Sequence, residues 1–145
     1  MKKFSVILQK DSMECGAACV TMICRHYGLH VPSEYVSKLC HTGIDGVSLV
    51  SISHAFSKLG FDSLAVKSSI INLKNLPLPC ILHWNQNHFV ILYAIDSLKN
   101  IFWLADPGKG KYKMKLEDFK KHWISCPSDN IDKGIAMVVE PSEKL

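Results

Sequence analysis

The stretch Gln9-Lys-Asp-Ser-Met-Glu-Cys15-Gly-Ala-Ala-Cys19 passes from polar, turn-forming residues into helix-forming ones, and the changeover falls on a cysteine. It predicts a helix over residues 15–27, broken by Gly28, with Ala17, Ala18, Met22 and Ile23 giving it an apolar face. A helix with such a face runs through a core. A thiol in its first turn meets the positive end of the helix dipole and N–H groups that have no partner inside the helix. Both favour the thiolate, the reactive form of cysteine. Gln9, six residues earlier, brings a side-chain NH2 donor, and Gly16 leaves room beside the sulfur for a substrate backbone.

Outward from this segment, two more helices are predicted before any sheet. One covers residues 33–39, following Pro32 with Ser33 as its cap. The next covers 48–59, capped by Ser48, striped by Leu49, Ile52, Phe56 and Leu59, and ended by Gly60. After Gly60 the period changes to that of strands, predicted at 61–67, 80–84, 88–95 and 101–105, with Leu76-Pro-Leu-Pro79 a rigid break before the last three. Their unbroken apolar character predicts burial on both faces. Residues 116–123 carry helix formers, 134–140 read as a closing strand, and the opening residues 1–9 read as a first strand. Helices first and a mostly antiparallel sheet afterwards is an α+β arrangement, with residues 1–145 forming one domain.

Composition sets the limits. At 145 residues and 48% hydrophobic, the chain can bury a core of its own and is short for two domains. Its longest apolar run, residues 89–95, is far below the roughly 20 residues that span a bilayer. The basic start imitates a signal peptide, but its apolar part is short and no small-residue cleavage site follows. Without an export signal, cysteines 15, 19, 24, 40, 80 and 126 are expected to be free thiols in a reducing cytoplasm. The net charge of +4 is densest at Lys109, Lys111, Lys113, Lys115, Lys120 and Lys121, read as a solvated turn and helix face. The alternative for that stretch is a weak preference for an acidic peptide or phosphate. A metal site would have to use Cys15, Cys19, Cys24 and His26, which lack Cys-x2-Cys pairing and are spread too far along a helix to converge on one ion. No phosphate-binding glycine loop is present, and neither a cofactor nor a nucleic-acid partner is expected.

Two distant residues complete a chemical pattern. His88 opens the apolar run 88–95, and Asp106, before Pro107, closes the run that starts at Ile101. Cysteine, then histidine, then acid is the order a helix-plus-sheet thiol protease needs. If residues 96–100 form a five-residue loop, Ile95 faces Ile101, Val90 falls opposite Asp106, and His88 lies one diagonal away on the same face. That is an alpha-carbon separation of about 7 to 8 Å, which an imidazole and a carboxylate can bridge. A four-residue loop would set the two on opposite faces. In such a site His88 takes the Cys15 proton and returns one to the leaving amine, Asp106 fixes the imidazole, and Gln9 with the Cys15 N–H holds the oxyanion. Taken singly, Cys15 also reads as an inert core thiol, His88 as a hydrogen-bonded strand end and Asp106 as a turn residue. Their joint occurrence in this order carries more than any one of them.

Four blocks in the same order and spacing add a resemblance. Gln9-x5-Cys15-Gly-Ala-Ala-Cys19, Gly46-Val-Ser-Leu49, His83-Trp-Asn-Gln-Asn-His88-Phe-Val and Ala105-Asp106-Pro107-Gly-Lys-Gly110 together resemble the C39 peptidase family, the N-terminal peptidase domains of bacteriocin-processing ABC transporters. The resemblance spans nearly the whole chain. It implies a papain-like fold, and a position on the cytoplasmic face of the membrane ahead of membrane-spanning and ATPase domains. It also implies removal of a leader peptide after a Gly-Gly pair. Position by position it makes Cys15 the nucleophile, His88 the general base, Asp106 the orienting acid and Gln9 the oxyanion donor. The residue before the nucleophile, often Asp in the family, is Glu14 here, which keeps the charge. The rival readings are a leader-binding adaptor without catalysis, as in family members lacking the cysteine, and a thiol acyltransferase on the same fold. The presence of Cys15 argues against the adaptor.

Overall fold

The computed structural model describes residues 3–9, 14–40, 48–128 and 131–143, without the side chains of 126–128. The quoted residues Lys10 to Met13 and Gly46-Val47, together with His41 and the Cys126 side chain, lie outside that set.

Helices form where the sequence supplies starts and stops. The first, α1 (Cys15–His26), begins on the cysteine itself and gives way to Gly28 at φ +88°, a left-handed turn that suits glycine. Its residues from Cys15 to Cys24 are all buried, so it is a central helix rather than a surface one. Next, α2 (Ser33–Cys40) takes Ser33 inside the helix, because the Pro32 carbonyl already accepts from the Val36 N–H; the expected Ser33 cap is one residue too late. The third, α3 (Leu49–Leu59), has the expected Ser48 cap in a reciprocal capping box with Ser51, and Gly60 closes it at φ +94°.

Among the described residues, seven strands follow. These are β1 (Phe61–Ser68), β2 (Cys80–Trp84), β3 (His88–Asp96), β4 (Ile101–Asp106), β5 (Gly110–Lys115), β6 (Cys126–Ser128) and β7 (Ile131–Pro141). Six run in the order β1-β7-β2-β3-β4-β5, every pair antiparallel, and β6 pairs with the start of β7. Two short helices, α4 (Ile70–Leu73) and α5 (Leu116–Trp123), interrupt them.

Burial on both faces of the sheet is observed. Ile81, Phe89, Ile91, Met137 and Val139 face the helical layer of α1 to α3, while Cys80, Leu82, Val90, Leu92, Phe102, Leu104 and Ala136 face α4 and α5. Alternation within each strand sends neighbours to opposite cores, as a period of two requires. Trp123 pins α5 to β7: its indole N–H donates to Ile135 O at 3.0 Å, and its ring lies so close over Gly134 that a Cβ there would fall 2.4 Å from it.

Three expectations are corrected. Residues 3–9 form no strand; Phe4 is buried and stacks on Tyr93, and the segment packs its side chains on the helical core instead of joining a sheet edge. The lysine-rich stretch 110–115 is the edge strand β5, not a turn and helix face, with Lys111, Lys113 and Lys115 exposed between half-buried Tyr112 and Met114. Lysines on an exposed edge also discourage pairing with another chain. The closing strand starts at Ile131 instead of 134 and is joined by β6, which the sequence did not suggest.

Candidate active site

Cys15 stands at the uncapped start of α1. Glu14, the N-cap residue, makes no side-chain cap bond; its carboxylate accepts from Ser37 Oγ on α2 at 3.1 Å. One turn further on, the Cys19 thiol donates to the Phe89 carbonyl at 3.5 Å, fastening α1 across β3. A helical turn advances about 5.4 Å, and Phe89 directly follows His88. That bond therefore brings Cys15 alongside His88, near enough for the thiol to act on the imidazole.

The histidine meets the acid on its other side. His88 Nε2 lies 2.7 Å from Asp106 Oδ1, which leaves Nδ1 as the ring nitrogen for the thiol. The hairpin reaches this pairing by an unexpected route. Asp96 pairs with Ile101, so the connecting loop has four residues, a parity that alone would put His88 and Asp106 on opposite faces. A bulge at Tyr93, between Leu92 and Ala94, inserts one residue into β3 and restores the phase: Ile91 faces Ala105, and one step on Val90 falls opposite Asp106. The expected diagonal is kept.

Asp106 is 2% exposed, and the structure compensates its burial with donors. Oδ1 accepts from His88 and from the Gly108 N–H at 2.8 Å, while Oδ2 accepts from the Tyr112 hydroxyl at 3.0 Å. Burial pushes the carboxyl up, but the hydrogen bonds from His88, Gly108 and Tyr112 and the charge of His88 outweigh it, and the group sits below its ordinary 3.8. His88 moves the other way. The bond to Asp106 and then the Cys15 thiol beside it raise it to about 9, against the opposing effect of burial. The imidazole therefore holds its proton at neutral pH. The remaining described thiols are inert by contrast: burial pushes Cys24, Cys40 and Cys80 up to about 12 and Cys19 well above its usual range.

Gln9 joins from the opening segment. Its N–H donates to the Pro107 carbonyl at 2.8 Å, tying it to the turn after Asp106. A Cβ placed on Gly108 would lie 3.4 Å from Asp106 Oδ1 and 3.8 Å from both Gln9 Oε1 and His88 Cε1, so the missing side chain is what keeps the space among these three open. A cleft of about 350 Å³ lies here, lined by Gln9, Trp84, Asn87, His88, Asp106 and Gly108 among others. A larger cavity of about 700 Å³ beside β1 has no cysteine or histidine in its lining and is remote from this chemistry.

All four residues singled out in the sequence thus come into one neighbourhood. Sequence reasoning missed Trp84, Gly108 and Tyr112. The signal for Tyr112 was present in the alternation Lys111-Tyr112-Lys113-Met114-Lys115, a strand period hidden by its charge.

The sequence profile of the peptidase C39 family matches residues 3–127. The chain belongs to the peptidase C39 family. Its family is one of cysteine peptidases, hydrolases of the peptide bond. Among relatives, the lactococcin-G-processing and transport ATP-binding protein LagD of Lactococcus lactis is 37% identical over 85% of this chain, which covers 18% of that protein. The colicin V secretion/processing ATP-binding protein CvaB of Escherichia coli is 29% identical over 99% of this chain, covering 19% of it. This C39 chain therefore spans about a fifth of the length of these relatives. Among solved structures, a double glycine motif protease from an AMS/PCAT transporter, crystallised with its leader peptide, superposes with a TM-score of 0.84 at 30% identity, over 97% of this chain and 94% of that one. The peptidase domain of Streptococcus ComA, at 23% identity and TM-score 0.81 over 97% of this chain and 100% of that one, shares the fold. The architecture is that of the papain-like C39 peptidase domains. Among the described residues no helix is long and apolar enough to cross a membrane.

Proposed function

We propose that this C39 domain is a cysteine endopeptidase that cuts a leader peptide from a secreted peptide precursor after a Gly-Gly pair. The observation that carries this is His88, hydrogen-bonded to Asp106 on one side and neighboured on the other by Cys15 at the start of a helix. Likeness to a double glycine motif protease seen with its leader peptide supports the choice of substrate.

In this reading the Cys15 sulfur attacks the carbonyl carbon of the second glycine, its proton having passed to His88. The carbonyl oxygen becomes an oxyanion held by the Cys15 N–H and the Gln9 side-chain amide. Collapse breaks the peptide bond; His88 gives its proton to the departing amine, and the leader stays on Cys15 as a thioester. Water, deprotonated by His88, then attacks the thioester, releasing the leader carboxylate and restoring the thiol. Asp106 holds the imidazole in position throughout. The open space beside Gly108 suits residues without side chains, which favours glycines at the cut.

In this reading the domain works on the cytoplasmic face of a membrane, joined to the membrane-spanning and ATPase domains of an ABC transporter; relatives named as processing and transport ATP-binding proteins support the transporter setting. The test is incubation of the protein with a synthetic precursor carrying a Gly-Gly leader, read by mass spectrometry. Two products split after the second glycine are expected from the wild type and none from Cys15→Ala. Binding of the precursor without cleavage would replace this reading with that of an adaptor.

A further inference from the structure

We propose that Tyr112 is a positioning residue of this site, whose hydroxyl holds the Asp106 carboxylate in the orientation that serves His88. The proposal rests on Cys15, His88 and Asp106 acting as one catalytic unit.

The strand register puts Tyr112 where this is possible. On β5, Tyr112 faces Leu104 while Gly110 faces Asp106, so Tyr112 is the diagonal neighbour of Asp106 on one side, as His88 is across β3 on the other. Asp106 thus stands between two diagonal partners, one for each carboxylate oxygen: His88 at Oδ1, 2.7 Å, and Tyr112 at Oδ2, 3.0 Å. Without the hydroxyl, Oδ2 would be a buried charged oxygen short of a donor, free to turn toward His88 and change the geometry there.

The hydroxyl is itself aimed. It donates to Asp106 Oδ2, and the Trp84 indole, a group that can only donate, lies beside it. Trp84 is fixed in turn by stacking on His122, with ring centroids 5.2 Å apart and planes at 13°. Burial and the charge of Asp106 push the Tyr112 phenol well above its usual range, so the hydroxyl keeps its proton at neutral pH. Trp84, Tyr112, Asp106, His88 and Cys15 thus stand in series, with Tyr112 and His88 both hydrogen-bonded to the carboxylate between them. A tyrosine needed only for packing would have no use for an oxygen placed in that series.

The experiment compares wild type, Tyr112→Phe, Asp106→Asn, the double variant and Cys15→Ala on a Gly-Gly leader precursor, measuring kcat, KM and their pH dependence. Tyr112→Phe keeps the ring and hence the packing. It is expected to lower kcat by about tenfold with KM within about twofold of wild type. The acid limb of kcat should move to higher pH, since the carboxyl loses a donor that favours its charged form. On the Asp106→Asn background the same change should cost less than about twofold, because the hydroxyl acts through the carboxylate. Unchanged kcat and acid limb in Tyr112→Phe, or an equal loss on both backgrounds, would overturn the proposal while leaving the catalytic unit in place. Cleavage by Cys15→Ala would instead remove the unit itself.

Discussion

On the sheet side of the site, Asp106 is gripped by three donors, two from the strands β3 and β5 and one from the turn at Gly108. On the helix side, Cys15 rides on the first turn of α1, and Gln9 is tied to the turn by its backbone bond to Pro107. The acid is held by hydrogen bonds to its own side chain, whereas the nucleophile is placed by the packing of its helix. The difference matches the part that each end would play in the proposed mechanism. Orientation of an imidazole is a fixed task that rigid strands perform well, whereas the nucleophile and the oxyanion donor must accept a substrate backbone between them. It also implies that losses will not fall evenly: a change on the helix side should cost more than one on the sheet side.

Gln9→Ala is the sharper way to break this contrast. Removing one oxyanion donor costs about 10² to 10³ in kcat where such groups have been deleted, and nothing on the sheet side can replace an amide at that place. Kinetics on a Gly-Gly precursor should show that loss with KM little changed; a loss below about fivefold would mean that Gln9 does not touch the oxyanion.

Asp106→Asn should fall at the low end of acid–base effects, about 10²-fold in kcat, because an amide oxygen can keep the bonds to His88 and Gly108. Its clearer signature is in pH. His88 is raised from 6.5 to about 9, first of all by Asp106, so its protonated form is complete below 6.5 and lost as pH rises through about 9. Asp106 is lowered, so its charge is complete above its ordinary 3.8 and lost as pH falls through its folded value. Between those limits the pair is intact. The alkaline limb of kcat/KM, near pH 9 in the wild type, should therefore move to lower pH in the Asn variant. An unmoved limb would take Asp106 out of the mechanism.

The same two regions differ in how far they could be read from residues alone. Helix α1 announced itself: polar turn residues, a helix start on Cys15 and a glycine stop are local signals, and local signals need no knowledge of the rest of the chain. Ser48 and Gly60 served α3 in the same way. The pairing of His88 with Asp106 was reached with the right outcome from the wrong loop, because the bulge at Tyr93 that corrects the phase leaves no mark in a run of apolar residues. Tyr112 and the edge strand β5 were hidden because lysines at every second position dominated the reading of that stretch. The opening segment misled in the opposite sense. Its apolar residues reach the core from an extended chain that makes no strand, and pattern alone cannot tell packing from pairing.

The central claim is that Cys15 alone among the cysteines forms the bond to the substrate, and labelling tests it most directly. A leader peptide ending in a Gly-Gly chloromethyl ketone, incubated with the protein near neutral pH, should alkylate one thiol. Digestion and mass spectrometry are expected to find the leader on Cys15, with Cys19, Cys24, Cys40 and Cys80 unmodified in the interior. The leader found on Cys19, or active protein that cleaves a precursor while Cys15 takes no label, would contradict it.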